Sequence, residues 1–222
     1  MAFAGQAIVA IWNDITPEGR ANFNEWHPRE HMPERVGIPG FRRGRRYIAT
    51  DAQIEFFTLY EADAKSVLIG KDYKERLNNP TEWSTRSVGA FLNNLRGICD
   101  VLFSKSNVEG AHLFTIRFDV EPGHEDRIKA LLSKDVLPPL AEAAEMAGTH
   151  LAVCDREMSG TNTSLQRTRK IGVPDWIVLL EASTSKAAKQ AGQTVMAAIK
   201  SGTKGEIIGE LYQLEYSLAK IA

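Results

Sequence analysis

Two histidines and a glutamate, His27, His31 and Glu34, lie within eight residues of one another. On a helix, residues three or four positions apart share a face. An imidazole beside a carboxylate is a common general-base arrangement, because the carboxylate orients the ring and supports its protonated form. This spacing predicts His31 as a catalytic base or acid and Glu34 as the residue that orients it. The alternative is a solvated helix end with capping and ion-pair roles, which fits His27 in particular.

The five residues from His27 to His31 also match the H-x-x-E-H pattern of one class of zinc enzyme. That chemistry needs an intact helix and a third ligand downstream. Pro28 lies between the two histidines, and no downstream segment resembles a ligand helix. We therefore expect no metal site.

A run of arginines follows the histidines, with Arg42, Arg43, Arg45 and Arg46 before Tyr47. Because strand side chains alternate, Arg42 and Arg46 would face one way and Arg43 and Arg45 the other. One pair could bind an acidic or carbonyl-bearing ligand, since guanidinium suits bidentate recognition. Equally, the run could be an edge strand whose charges deter aggregation or form ion pairs. RNA binding is disfavoured by the net charge of −1 and by the lack of an RRM signature.

The elements that would position these residues occur twice in the chain. One strand candidate has Asp14 near its end and Pro17 just after it, and another has Asp119 and Pro122 in the same places, 105 positions later in both cases. A second match, Glu61 with Glu181, has an offset of 120, which is 15 more. The surplus falls largely in segment 158–174, which has the composition of a loop.

Each half is predicted to run β-α-β-β-α-β, the ferredoxin-like order, in a first unit 1–107 and a second unit 108–222. The fold class is therefore α+β with antiparallel sheets, and the two units would form an α/β barrel within the chain or by dimerisation. Pro28 and Pro33 should kink or end the regular first helix. The predicted strands are Ala7–Ile15, Arg42–Ala49, Ile54–Ala62, Gly97–Ser104, His112–Val120, His150–Glu157, Trp176–Ala182 and Tyr212–Leu218. The predicted helices are Pro17–Val36, Asp63–Leu77, Thr81–Asn93, Pro122–Ala147 and Ser185–Lys200.

Composition narrows the class of protein. The chain has 222 residues, 43% of them hydrophobic, which is enough to bury a core without disulfide or metal support. No targeting segment and no apolar run near 18 residues is visible, so no membrane partner is expected. Cys99 and Cys154 are expected to be buried free thiols in a reducing compartment. These features predict a cytoplasmic location.

One motif resembles that of EthD-like proteins of the dimeric α/β barrel superfamily. It consists of Trp26, His31, Pro33-Glu34-Arg35, Pro39-Gly40-Phe41 and Arg45-Arg46-Tyr47. The motif covers residues 26 to 47, and the fold resemblance covers both units. The resemblance implies that His31 faces a cleft between sheet and helices. The equivalent stretch of the second half, from Lys134 to Glu142, keeps Pro138 but has neither His nor Trp. We therefore expect a site in the first unit only.

The leading hypothesis is a cofactor-independent enzyme that transfers a proton on a small, partly apolar carbonyl or aromatic substrate. Lyase, isomerase and monooxygenase chemistry all remain open. His31 and Glu34 would be catalytic, and the substrate would contact the residues Trp12, Trp26, His27, Arg46 and Tyr47. By the same resemblance, fused relatives such as chlorite dismutase bind haem, so a haem protein is the alternative, and a non-catalytic binding module is the third. Unpaired sheet edges favour a homodimer.

Overall fold

The computed structural model describes residues 3–160 and 172–220. Residues 161–171, the greater part of the predicted loop 158–174, lie outside the described residues. The first strand shows why the chain folds as it does. In Ala7–Ile15, Ile8, Ala10 and Trp12 point to one side of the sheet, and Ala7 and Val9 point to the other. Both sides are apolar, so this strand must be covered on both faces.

Eight strands form one antiparallel sheet. Their bounds are β1 Ala7–Ile15, β2 Phe41–Asp51, β3 Phe56–Ala62, β4 Phe91–Ser106, β5 His112–Val120, β6 Met146–Cys154, β7 Trp176–Ala182 and β8 Thr203–Ala219. The predicted helix Thr81–Asn93 is confirmed only over Glu82–Val88, and the predicted strand Gly97–Ser104 is too short. Both corrections have one cause, because β4 already begins at Phe91 and Leu92, which pair with β1. The predicted strand Tyr212–Leu218 also begins too late, because the polar, glycine-containing start of β8 lacks the apolar alternation of a strand.

The helices are shorter than their sequence pattern suggests. They are α1 Arg20–Trp26, α2 Met32–Gly37, α3 Lys65–Leu68, α4 Lys71–Asn78, α5 Glu82–Val88, α6 Glu125–Ala130, α7 Leu137–Ala141, α8 Arg156–Ser159 and α9 Ser185–Ile199. Two π-helical segments, π1 His27–His31 and π2 Leu131–Val136, join α1 to α2 and α6 to α7. The predicted helix Asp63–Leu77 breaks at Gly70, whose backbone is extended. The predicted helix Pro122–Ala147 ends at Ala141, because Met146 and Ala147 belong to β6.

The sheet closes on itself into a barrel with the strand order β1-β3-β2-β8-β5-β7-β6-β4. Four neighbouring strands, β4-β1-β3-β2, come from the first half, and β8-β5-β7-β6 come from the second in the same ferredoxin-like order. The halves are joined by the pairs β2–β8 and β4–β6, so the chain completes the barrel by itself. Both predicted offsets recur, since β5 begins 105 positions after β1 and β7 begins 120 positions after β3. The unit boundary at residue 107 stays a prediction.

Three apolar cores result from this closure. One fills the barrel interior with residues such as Trp12, Phe57 and Ile177. The other two lie outside it, where the helices of each half cover the outer face of their own strands. An eight-stranded barrel is just wide enough to be filled by side chains or to hold one small ligand.

A disulfide lies on one of the seams between the halves. Cys99 in β4 and Cys154 in β6 are directly opposite in the strand register and are bonded to each other. The prediction of two free thiols is therefore wrong. Disulfides persist mainly in oxidising environments, so cysteine usage no longer supports a reducing compartment, and the cytoplasmic location stays a prediction.

Closure of the barrel also changes the expectation about oligomers. Each of the eight strands is paired on both sides, so the argument for a homodimer from open sheet edges is lost. A homodimer stays a prediction and would need another surface. None of the helices in the described ranges is long and apolar enough to cross a membrane.

Candidate active site

The first helix carries the predicted site and is continuous despite its two prolines. Pro28 and Pro33 were expected to interrupt the regular helix, and α-helical geometry does end at Trp26. The backbone nevertheless stays helical through π1 and resumes as α2 at Met32. Proline removes a backbone donor, and the wider π turn accommodates that loss. Segments of this kind occur often at functional sites.

Aromatic side chains anchor this helix to the outer face of the first half of the barrel. Phe23 and Trp26 are completely buried. The ring centroid of Phe23 lies 5.0 Å from that of Phe56 in β3 and 5.4 Å from that of Phe91 in β4. Any compound that bound beside π1 would therefore meet mainly aromatic walls.

His27 lies at the bottom of this interface and is almost fully buried. A hydrogen bond of 2.7 Å joins its Nδ1 to the hydroxyl of Tyr216 in β8. Burial, assisted by the positive charge of Arg46, lowers the pKa of His27 well below its ordinary value. Burial also raises the pKa of the Tyr216 hydroxyl. At neutral pH the pair is therefore a neutral imidazole and a protonated phenol.

His31 occupies the outer end of the same face and is only partly buried. Its ring centroid lies 4.3 Å from Trp26, 5.4 Å from His27 and 6.4 Å from Tyr60. The spacing of four residues thus brings the two histidines together, as the sequence predicts. Of the two, His31 is the one that a molecule from solvent can reach.

The carboxylates near His31 are arranged differently from the prediction. Glu34 accepts a hydrogen bond of 3.2 Å from the buried Arg35, and its role in orienting His31 stays a prediction. Glu30 instead organises the segment, because its Oε1 accepts from Trp26 Nε1 at 3.1 Å. The same oxygen accepts from the hydroxyls of Thr81 at 2.6 Å and Ser84 at 3.1 Å. Sequence reasoning missed this role, because two of the three donors lie about fifty residues away.

Arg46 lies near His27 on the outer face of β2. Its guanidinium donates to Glu215 at 2.6 Å and to Asn24 at 2.9 Å. Its Cζ stands 4.5 Å from the ring centroid of Phe23 and 5.2 Å from that of Tyr216. Nη1 is buried and has no hydrogen-bond partner in the described part of the chain. One donor of Arg46 is thus unused.

Two residues of the predicted site lie elsewhere. Trp12 and Tyr47 are completely buried inside the barrel, on the opposite side of the sheet from His31. The reason is strand alternation, since Tyr47 follows Arg46 directly in β2. The structure therefore brings together Trp26, His27, His31 and Arg46, and it separates Trp12 and Tyr47 from them.

The run of arginines is not a basic patch. Arg43 and Arg45 point into the barrel, as the alternation predicts, and both pair with the fully buried Glu61. Arg45 also donates to Glu181 of the second half at 2.8 Å. His150 Nε2 lies 3.1 Å from the same oxygen of Glu181. Although burial opposes it, Arg45 and His150 hold the pKa of Glu181 far below its usual value. Of the two roles predicted for the arginines, ligand binding and ion pairing, the structure shows ion pairing. The strand that carries them is paired on both sides and is not an edge strand.

The described residues do not favour a metal or haem in this region. Within residues 3–160 and 172–220, no group of three or more His, Cys, Asp or Glu side chains is placed to hold a metal ion. A haem beside π1 would have to displace the packed rings of Phe23, Trp26 and Phe56. Nδ1 of His27 is already bonded to Tyr216. The residues present here do not fit that cofactor.

Comparison with known proteins identifies the fold. No family model matches the chain, and no curated protein matches its sequence. Among solved structures, an anthrone oxidase-like protein superposes with a TM-score of 0.65 at 12% identity, covering 96% of this chain and 92% of that one. A candidate monooxygenase from Fusobacterium nucleatum gives a TM-score of 0.64 at 9% identity, covering 98% and 96%. A candidate chlorite dismutase gives 0.58 at 11%, covering 95% of each chain.

At these identities the likeness is one of fold. This chain has the dimeric α/β barrel fold, with both ferredoxin-like units supplied by a single polypeptide.

Proposed function

We propose that this protein is a small-molecule enzyme of the EthD-like type, in which His31 transfers a proton to or from a carbon activated by a carbonyl group. The observation that carries the proposal is the pairing of a reachable histidine, His31, with the buried, neutral His27, on a π-helical segment. No cofactor enters this chemistry.

The surroundings of His31 define the substrate class. Trp26, Phe23 and Tyr60 make the site aromatic and largely apolar. Arg46 is our candidate for the donor that polarises the carbonyl oxygen, because its Nη1 has no partner among the described residues. The substrate would be a small, partly apolar aromatic or carbonyl compound. The names of the structural neighbours, anthrone oxidase-like protein and candidate monooxygenase, agree with that class.

Proton removal is the step common to lyase, isomerase and monooxygenase chemistry on such compounds, so it is the step to test. The protein is incubated in D2O with a panel of aromatic and polyketide-like ketones that starts with anthrone. Incorporation of deuterium at the carbon activated by the carbonyl, which in anthrone is the methylene opposite the carbonyl in the central ring, is then followed by NMR. We expect enzyme-dependent exchange that falls at least 100-fold in His31→Ala, the usual scale of general acid–base catalysis.

The matched control is His124→Ala, because His124 is an exposed histidine at the start of α6 in the other half. It should keep full exchange activity. Unchanged exchange in His31→Ala would remove His31 from the mechanism. A wild-type protein that binds the ketones but exchanges none of them would support the binding-module hypothesis instead. Addition of haem should give only the broad Soret band of the free cofactor, without the shifted and sharpened band of a haem protein.

A further inference from the structure

We propose that the end of the barrel at Trp12 and Arg117 is a second ligand site, which takes a neutral, flat, mainly apolar compound with a hydrogen-bond-accepting oxygen. This end, named here the barrel mouth, is defined by Trp12, Thr115, Arg117, Val173 and Ile208. The barrel mouth lies at one end of the barrel interior, whereas His31 lies on the outer face of the sheet. The proposal does not depend on the function proposed for His31.

Arg117 is the central residue of the barrel mouth. It projects from β5 toward the interior, and its Cζ stands 4.9 Å from the ring centroid of Trp12. Its Nη2 donates to Glu210 at 2.6 Å. Its Nε is buried without a hydrogen-bond partner among the described residues. The guanidinium thus has a donor that the protein leaves unused.

Two neighbouring polar atoms are in the same condition. Trp12 Nε1 and Thr115 Oγ1 are completely buried, and neither has a partner in residues 3–160 and 172–220. Thr115 precedes Arg117 by two positions, so both side chains face the same side of β5. Buried polar groups in folded proteins almost always have partners. These three unpartnered polar groups at one end of the barrel are the groups to which we assign a bound molecule with at least one acceptor atom.

A groove leads from solvent to Arg117. It has a volume of about 350 Å³, and its apolar lining comes from Leu95, Phe118, Val173, Pro174 and Ile208. A second groove, lined in part by Ile54, shares Leu95 and Gly172 with the first. The described segment 172–174 therefore has a groove on either side. These apolar walls favour a flat hydrocarbon body for the ligand.

The charges at the barrel mouth favour a neutral ligand over an anion. The positive charge of Arg117 is already compensated by Glu210. Glu210 is itself satisfied, because it also accepts from the Tyr212 hydroxyl at 3.1 Å and from the backbone N–H of Gln53 at 3.1 Å. At the rim, Lys204 is accompanied by Asp119 and Glu206. No excess of positive charge remains for a carboxylate.

The test uses two-dimensional ¹H–¹⁵N NMR on the full chain, with 1-acetonaphthone as the neutral carbonyl probe. The indole N–H signal of Trp12 is assigned with Trp12→Phe, and the Nε–H signal of Arg117 with Arg117→Lys. Both signals should shift saturably with the probe, whereas the indole signal of Trp26 should not move. 1-Ethylnaphthalene, which lacks the oxygen, and 1-naphthoate, which adds a charge, should each bind at least tenfold more weakly.

Arg117→Lys keeps the positive charge opposite Glu210 but removes Nε, so it should weaken probe binding at least tenfold. Arg86→Lys is the matched control on the exposed side of α5 and should bind as the wild type does. If Arg117→Lys does not fold, the titration of the wild-type protein with the three compounds still tests the proposal. The proposal is overturned if the Trp12 and Arg117 signals stay in place, if Trp26 shifts instead, or if 1-naphthoate binds more tightly than the ketone.

Discussion

His27 and His31 show how two identical side chains, four residues apart, acquire different properties from their depth in one interface. His27 is held by Tyr216 and kept neutral by burial, whereas His31 is only partly buried. The sequence places them on one face, but it does not reveal which is deeper. That difference depends on Tyr216, which is 189 positions from His27 and joins the interface through the seam between β2 and β8.

The buried state of His27 predicts a pH dependence of stability. An unfolded histidine takes up a proton near pH 6.5, whereas the pKa of folded His27 lies well below that value. Below about pH 6.5 the unfolded state therefore binds more protons, and the free energy of unfolding falls as the pH falls. In His27→Gln, denaturant unfolding between pH 6.5 and 5.5 should show a slope smaller by up to about 1.4 kcal/mol per pH unit.

His124→Gln serves as the control for this measurement, because His124 is exposed. Its slope should equal that of the wild type. His150, whose pKa is also lowered by burial, should keep some slope in His27→Gln. An unaltered slope in His27→Gln would mean that His27 titrates normally in the folded protein.

Among the elements, the seam between β4 and β6 carries a covalent link. The Cys99–Cys154 disulfide spans 55 positions of sequence and joins the two halves. A cross-link of this separation typically contributes about 2–4 kcal/mol, largely by constraining the unfolded chain. The double variant Cys99→Ala/Cys154→Ala should lose stability on that scale in urea unfolding.

A reductant distinguishes the disulfide from simple packing. When the wild-type protein is unfolded and refolded in the presence of dithiothreitol, its free energy of unfolding should fall toward that of the double variant. The free energy of unfolding of the double variant itself should not change. Thiol alkylation followed by mass spectrometry should find no free cysteine in the untreated protein. Two alkylated cysteines without reductant would contradict the link.

The succession of elements was largely predictable, but their lengths were not. The repeated Asp at the end of β1 and β5, with the Pro that follows each strand, predicted both units, and the offsets of 105 and 120 recur in the strand positions. The predicted bounds were wrong where the local hydrophobic pattern does not match the strand pairing in the folded protein. Leu92 is exposed and Asn93 has a positive φ of 50°, so the start of β4 does not alternate like a strand. It is extended because it pairs with β1.

On the scale of the whole molecule, the barrel encloses charges that tie the two halves together. Arg45 is fully buried between Glu61 of its own half and Glu181 of the other. Removing one member of a buried ion cluster leaves an uncompensated charge, which costs about 3–5 kcal/mol. Arg45→Met should lower the free energy of unfolding by that amount in denaturant titrations.

A second variant isolates the cause. In Arg45→Met/Glu181→Gln, Glu61 keeps its partner Arg43, so much of the lost stability should return. Arg42→Ala is the control on the same strand, because the Arg42–Asp63 pair is exposed, and it should leave the unfolding midpoint almost unchanged. Equal stability of Arg45→Met and wild type would show that the cluster contributes nothing.

The candidate site was predictable only where it is local in sequence. The proximity of His27 and His31 follows from helical spacing, whereas the ring of Trp26 lies 4.3 Å from that of His31 across the π-helical segment. The separation of Tyr47 from Arg46 follows from strand alternation and is therefore predictable from the sequence as well. The partners Tyr216, Ser84 and Glu215 could not, because barrel closure and helix packing bring them in from distant segments.

The approximate twofold symmetry of the barrel has one further consequence. Trp12 and Arg117 are equivalent positions of the two halves, 105 apart, and they stack on each other at 4.9 Å. Arg45 and His150 are likewise equivalent, and both bind one oxygen of Glu181. In a barrel of two identical subunits, a residue at such a position faces a copy of itself, and an arginine there would meet an arginine. When both halves belong to one polypeptide, two equivalent positions can carry different residues. Complementary side chains such as Trp12 and Arg117 can therefore face each other next to the approximate twofold axis.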